Sequence, residues 1–439
     1  MLRTARSALA CAVLACAVLA CAVLACAVLA AAAGPPVAAA TLTLSCGGGV
    51  QADTCRDAAQ RWARQQGHQV RFVDLPNSST ERLALIQQML AGHSARIDVY
   101  PLDIVWPGQL ASELIDLRPY LRPADIEGFA QADLRSDTVD GRLVALPYFA
   151  DVPLLYYRKD LLDAFGLPVP RSWDELGRVA AEAQRRARAA GQPRIWGYVW
   201  QGAAYEGLSC NALEWIASAG GGTLVDARSG RVTVDNPRAR AALDMARGWI
   251  GTISPLDVLN MHEEQARAAF QSGHAVFMRN WPYARALLEH PRSPVRGRVG
   301  VAPLPAGAGG NTAATLGGWQ FAVSRHSRHP REATALIAYL TAPQQQRTDA
   351  LQAGLLPTRT ALYDDAELRA SLPDFAVLTQ ALRAAVERPS SVTRARYARV
   401  SAAFSDAVHD IVSGRSATGP TLRRLQRRLQ HMAPDGAWN

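Results

Sequence analysis

Residues 41–45 alternate as Thr-Leu-Thr-Leu-Ser, and Gly47-Gly48-Gly49 follows, so the pattern predicts a first β-strand closed by a turn. Apolar residues then recur at helical spacing around Ala58-Ala59-Gln60-Arg61-Trp62, and a second strand is expected over 69–73. A helix should open at Ser78-Ser79-Thr80-Glu81, where a serine can cap and a carboxylate suits the first turn. The apolar run 98–102 reads as a third strand. Strand, helix, strand with short connections is the grammar of a parallel α/β sheet.

The alternation resumes downstream. A strand at 196–200 precedes a helix over 211–219 that ends at Gly220-Gly221-Gly222. A helix over 263–271 leads into a strand at 275–278, and further strands are expected at 299–302 and 320–323, with a helix over 331–340. From 366 onward the chain reads as mostly helical. It contains no repeat of solenoid length and no linker long enough to separate independent domains, so two intertwined α/β lobes fit best.

The amino terminus differs in kind. Arg3 and Arg6 precede an unbroken apolar run from Ala8 to Ala33, which Gly34-Pro35-Pro36 stops before the small residues Val37-Ala38-Ala39-Ala40. This reads as an export signal over 1–40, cleaved near Ala40. The pentad Cys-Ala-Val-Leu-Ala starts at Cys11, Cys16, Cys21 and Cys26, so each Leu-Ala-Cys also resembles a lipoprotein cleavage box, and a lipid-anchored form is the second choice. Roughly 400 residues remain, enough for two hydrophobic cores. The remaining cysteines are Cys46, Cys55 and Cys210; in an oxidising compartment the first two can pair, with three free thiols as the alternative.

The formal net charge of +9 loses two positive charges with Arg3 and Arg6. Its arginines cluster in helical stretches such as Arg185-Arg186-Ala187-Arg188 and Arg423-Arg424-Leu425-Gln426-Arg427-Arg428 without interleaved aromatics, which reads as solvated helix faces and not as a nucleic-acid platform. The chain has no His-Glu-x-x-His spacing, no zinc pattern and no Gly-x-Ser-x-Gly elbow, and Ala306-Gly307-Ala308-Gly309-Gly310 lacks the lysine of a phosphate loop. No metal or cofactor is expected. Glu263-Glu264 sits where a helix should begin, so helix-dipole placement accounts for it. A glycosidase pair drawn from distant carboxylates stays open.

Aromatic residues instead cluster with polar ones at predicted strand ends: Asp103-Ile104-Val105-Trp106, Tyr148-Phe149-Ala150-Asp151, Trp200-Gln201 with Tyr205-Glu206, Arg279-Asn280-Trp281-Pro282-Tyr283, and Thr315-Leu316-Gly317-Gly318-Trp319. Each tryptophan alone reads more readily as core than as a ligand platform, and Asp103 equally as a helix cap. Together they suit a sugar, with one face of C–H bonds for an indole ring and a rim of hydroxyls for carboxylates.

In its order of motifs the chain resembles the extracellular solute-binding proteins of ABC sugar importers, and more closely the trehalose/maltose-binding branch of the maltose-binding-protein superfamily. Further stretches carry this: Thr80-Glu81-Arg82-Leu83, Leu154-Leu155-Tyr156-Tyr157-Arg158-Lys159-Asp160-Leu161-Leu162, Gly197-Tyr198-Val199-Trp200-Gln201-Gly202 and Gly300-Val301-Ala302-Pro303-Leu304-Pro305. The resemblance implies a periplasmic-binding-protein fold of two α/β lobes around a ligand cleft. The N-lobe would span 41–151 and 320–366, and the C-lobe 152–319 and 367–439. Crossings would fall near Asp151-Val152-Pro153, near Gly317-Gly318-Trp319 and after Tyr363.

It also implies a monomeric, non-catalytic receptor that delivers an α-linked disaccharide to the transmembrane subunits of an ABC permease. An exported glycoside hydrolase, or the same fold with another sugar or a sugar phosphate, are the alternatives. Implied disaccharide contacts are Thr80, Asp103, Asp151, Trp281, Gly317, Gly318, Trp319 and Arg359, with Gln201, Tyr205 and Glu206 as weaker C-lobe candidates. Two departures stand out. Gln51 lies where relatives place a sugar-binding acid, and Phe149 stands where relatives can carry tyrosine.

Overall fold

The computed structural model describes residues 39–47, 50–372, 374–433 and 438, without the side chains of Val50 and Gln51. The export signal and the side chain of Gln51 lie outside the described residues. Residues Thr41–Asn439 form one compact unit.

Apart from a short hairpin of Thr138–Val139 and Arg142–Leu143, its strands, in chain order, are β1 (Thr41–Leu44), β2 (Gln69–Phe72), β3 (Val99–Asp103), β4 (Leu146–Asp151), β5 (Leu154–Arg158), β6 (Trp196–Val199), β7 (Ala275–Asn280), β8 (Val299–Ala302), β9 (Ala314–Thr315), β10 (Gly317–Val323), β11 (Leu356–Pro357) and β12 (Ala385–Val386). The helices that matter to the site are α1 (Val50–Gln66), α2 (Ser79–Ala91), α3 (Glu206–Ser218), α4 (Glu263–Gln271), α5 (Tyr397–Val412) and α6 (Thr418–Met432).

Two sheets carry the two lobes. The first has the order β11-β4-β10-β3-β1-β2 and the second β8-β5-β7-β6. Within the first, β2, β1 and β3 run parallel, as the strand–helix–strand pattern predicts. The returning strand β10 runs antiparallel to both β3 and β4, because the chain re-enters from the other lobe. The result is a mixed sheet. The crossing at Val152-Pro153 links β4 in one sheet to β5 in the other. This is the two-lobed α/β architecture that the resemblance implies.

Each lobe has its own core. Leu42, Leu44, Trp62, Val99, Phe321 and Ile337 anchor one, and Leu155, Tyr156, Trp200, Trp215, Phe277 and Phe404 the other. Helix α2 is capped as its sequence predicts, with Ser78 accepting from the Glu81 amide. Cys46 and Cys55 form a disulfide that ties the end of β1 to α1, and Cys210 is a buried free thiol. In α6, Leu422, Leu425 and Leu429 face inward while Arg423, Arg424, Arg427 and Arg428 are exposed, as amphipathic spacing requires.

The expected N-lobe boundary at residue 320 shifts. Strand β10 begins at Gly317, so Gly317-Gly318-Trp319 lies inside the first sheet, paired with Asp151, Ala150 and Phe149. Both glycines permit close approach of their neighbours. A Cβ on Gly318, whose φ is +148°, would sit 2.7 Å from the Phe149 carbonyl oxygen.

Candidate functional site

Between the lobes lies a cavity of about 560 Å³, with Trp281 and Trp319 among its lining residues. Trp281 follows directly on β7. Its amide donates to the Asn280 side chain at 2.8 Å, and the Tyr156 hydroxyl donates to its carbonyl at 2.9 Å, which fixes the turn. The Arg279 guanidinium stacks behind the ring at 4.3 Å and is itself held in a fully buried ion pair with Glu214. Gly317 meets the ring edge so closely that a Cβ there would approach Cζ3 to 2.9 Å. Trp319, in β10, has a matching support: Arg82 stacks on it at 4.5 Å and Trp106 meets it edge-on at 5.6 Å. Such stacking contributes about 0.5–2 kcal/mol and, more to the point, fixes ring orientation.

Polar groups converge between the rings. Asp103 ends β3, and Arg388, in the segment after β12, grips both its oxygens at 2.7 and 3.4 Å. Arg388 also donates to Glu206 at 2.9 Å, the first residue of α3, whose carboxylate further accepts from Tyr397 and Ser401. The Glu206 amide donates to the Thr80 hydroxyl at 3.4 Å, so α2 of one lobe touches α3 of the other. Burial pushes the Asp103 carboxyl up, against the pull of Arg388. Burial likewise pushes Asp151 well up, and the nearby Arg279 opposes it. Arg82 is lowered to about 10 by burial, with Asp103 and Glu263 opposing the shift.

Eight of the sequence candidates line this cavity: Asp103, Phe149, Asp151, Glu206, Trp281, Gly317, Gly318 and Trp319. Thr80 stands beside it through Glu206. Three others are placed elsewhere. Arg359 does not face the cavity, because its guanidinium donates to the main-chain carbonyls of Thr341, Glu127 and Asp125 and stacks on Phe129. Gln201 is fully buried beneath the floor, donating to the Arg279 carbonyl and accepting from the Arg279 and Asn211 side chains. Tyr205 packs on His262 with ring centroids 4.2 Å apart, so of this pair of neighbouring candidates only Glu206 lines the cavity.

Sequence reasoning missed Arg388, Arg82, His262, Glu263, Glu264 and Tyr283, all of which line the cavity. Glu263 and Glu264 do open a helix, as read, but they also face the cleft. Arg82 sat inside a motif already singled out, next to Thr80. Arg388 follows Glu387 and precedes Pro389, with no aromatic neighbour to mark it.

A cleft between two α/β lobes, walled by tryptophans and lined by carboxylates, has the form of a solute-binding receptor. The chain belongs to the bacterial extracellular solute-binding protein family, whose model matches residues 48–347. It is 44% identical over 407 residues to a probable ABC transporter-binding protein of Deinococcus radiodurans, covering 92% of this chain and 96% of that one. Among solved structures it is similar to the maltose-bound MalE3 of T. maritima, at 38% identity and a TM-score of 0.83, covering 90% of this chain and 100% of that one. The GacH receptor of Streptomyces glaucescens, solved unliganded and with acarbose, shares the fold at 24% identity and a TM-score of 0.79, covering 90% of this chain and 98% of that one. The family is one of receptors and not of enzymes. Among the described residues no helix is long and apolar enough to cross a membrane.

Proposed function

We propose that this chain captures an α-linked disaccharide of the trehalose, maltose or sucrose type and delivers it, as a monomer, to the transmembrane subunits of an ABC permease. The observation that carries this reading is the pair of arginine-backed rings, Trp281 from one lobe and Trp319 from the other, on one cavity of about 560 Å³. That volume is within the usual range of small-molecule sites. The rings would stack on the sugar's C–H faces, while Asp103 and Asp151 accept from hydroxyls and the amides of Gly317 and Gly318 approach its edge. Thr80 and Gln51 complete the proposed contacts, and Arg388 holds the Asp103 carboxylate in place beneath the sugar. Phe149 offers no hydroxyl at its position. The maltose of the T. maritima relative supports a disaccharide. Export through the signal at 1–40, with cleavage near Ala40 or lipid anchoring, would place the receptor outside the cytoplasmic membrane.

A thermal-shift screen of trehalose, maltose, sucrose and their monosaccharides tests the reading, since a ligand that binds only the folded protein raises its melting temperature. A shift with a disaccharide at low concentration is expected. No shift with any of them would sink the assignment.

A further inference from the structure

The cavity that holds the two tryptophans is also strongly charged. Glu81, Asp103, Asp151, Glu206, Glu263 and Glu264 line it, against the guanidiniums of Arg82 and Arg388. The two cations differ in what they have left to offer. Both terminal nitrogens of Arg388 are engaged by Asp103, Glu206 and the Leu316 carbonyl, so two carboxylates share one guanidinium. Arg82 gives its Nε to the Pro76 carbonyl at 2.8 Å and makes no ion pair among the described residues. Its charge is offset within the cavity by the nearby carboxylates of Asp103 and Glu263, and its guanidinium is buried against the Trp319 ring.

The acids are less fully matched. Glu264 is held by Arg267 and accepts from the Tyr283 hydroxyl, both at 2.7 Å. Glu263, the first residue of α4, and Asp151, the last residue of β4, form no ion pair among the described residues. They come from opposite lobes and face one chamber. In a partly desolvated chamber an unmatched carboxylate acts on a ligand's charge far more strongly than it would in bulk water.

From this arrangement we infer that the cleft sorts sugars by charge: it admits neutral glycosides, holds an amine-bearing one at least as tightly, and rejects phosphorylated or uronic ones, with Glu263 setting the discrimination. The inference rests on the disaccharide reading above. It argues against a sugar phosphate as the ligand, although the chain as a whole is basic, because the basic excess lies on outer helix faces such as that of α6.

The test is calorimetric titration of the purified protein with four forms each of trehalose and maltose: the neutral sugar and its 6-amino, 6-acetamido and 6-phosphate derivatives. The uncharged acetamide controls for bulk. The phosphate should bind about 100-fold more weakly than the acetamide, since like-charge contacts cost several kcal/mol and each 1.4 kcal/mol is tenfold. The amine should bind at least as tightly as the neutral sugar, and added salt should shrink both differences. Glu263→Gln should narrow the ratio between amine and phosphate affinities about tenfold. If the neutral sugar binds and the phosphate binds as tightly, charge sorting falls while the disaccharide reading stands. Rejection of the acetamide as strongly as the phosphate would likewise overturn charge as the cause. If no form binds, the disaccharide reading fails and this inference fails with it.

Discussion

Arg388 and Asp103, 285 residues apart in sequence, form a two-pronged ion pair at the floor of the cleft, with Nη2–Oδ1 at 2.7 Å and Nη1–Oδ2 at 3.4 Å. The pair is nearly inaccessible, and Arg388 holds Glu206 as well. Removing one partner of a buried pair leaves the other charge uncompensated, at a cost of about 3–5 kcal/mol. Arg388→Ala should therefore lower unfolding stability by about that amount in a urea titration. Arg388→Lys should recover only part of it, because an ammonium cannot reproduce the fork.

Gly317 and Gly318 give separable outcomes. An alanine at 317 places its Cβ 2.9 Å from Cζ3 of Trp281, so the ring must move. Gly317→Ala should weaken sugar binding about tenfold or more by calorimetry, at a stability cost of about 1–3 kcal/mol typical of overpacking. At Gly318 the obstacle is the Phe149 carbonyl, and φ is +148°. Gly318→Ala should therefore lose stability more than Gly317→Ala does, as judged by melting temperature.

Arg359 tests the corrected placement. It supports three carbonyls and the ring of Phe129 rather than the cleft. Arg359→Ala should destabilise the fold by about 2–4 kcal/mol, given charged hydrogen bonds of about 1.5–3 kcal/mol each that partly relax. Sugar affinity of the folded variant should stay within about threefold of the parent. A large affinity loss without a stability loss would return Arg359 to the site.

Asp133 gives a pH-dependent prediction. Burial raises its carboxyl from 3.8 to about 6, with Glu387 adding to the shift. The folded protein thus holds this proton between about pH 4 and 6 while the unfolded chain has released it, so this group's contribution falls as pH rises through that window. Above pH 6 the cost of ionising it is fully present, about 1–3 kcal/mol at 1.36 kcal/mol per unit. Asp133→Asn should be more stable than the parent at pH 7.5, with the difference vanishing near pH 4 in paired denaturation curves.

Much of this structure is legible in the sequence because it is local. The period-two alternation before Gly47 marks β1, Ser78 marks the start of α2, and the aromatic-plus-polar clusters mark where strands reach the cleft. Trp281 and Trp319 announce themselves for the same reason. Their flanking motifs are contiguous. What sequence reasoning misplaced depends on long-range pairing. Nothing near Arg359 shows that its donors meet Thr341, Glu127 and Asp125, and nothing near Arg388 shows that it meets Asp103. The acids at 263 and 264 have a sufficient local explanation as the start of α4, which hides their second role on the cleft wall. The strand expected from residue 320 begins three residues earlier, and only the neighbouring Trp281 ring and Phe149 carbonyl show why the strand needs glycine at 317 and 318.

The most direct test of the central claim is calorimetric titration of one disaccharide, whichever of trehalose, maltose or sucrose shifts the melting temperature most, into the parent protein, Trp281→Ala and Trp319→Ala. Two rings on one ligand predict micromolar or tighter binding to the parent and a loss of about 100-fold in each variant, or about 2.8 kcal/mol, the sum of a stacking contact of about 0.5–1.5 kcal/mol and the apolar area it buries. Unchanged affinity in either variant, with the fold intact by circular dichroism, would contradict the clamp.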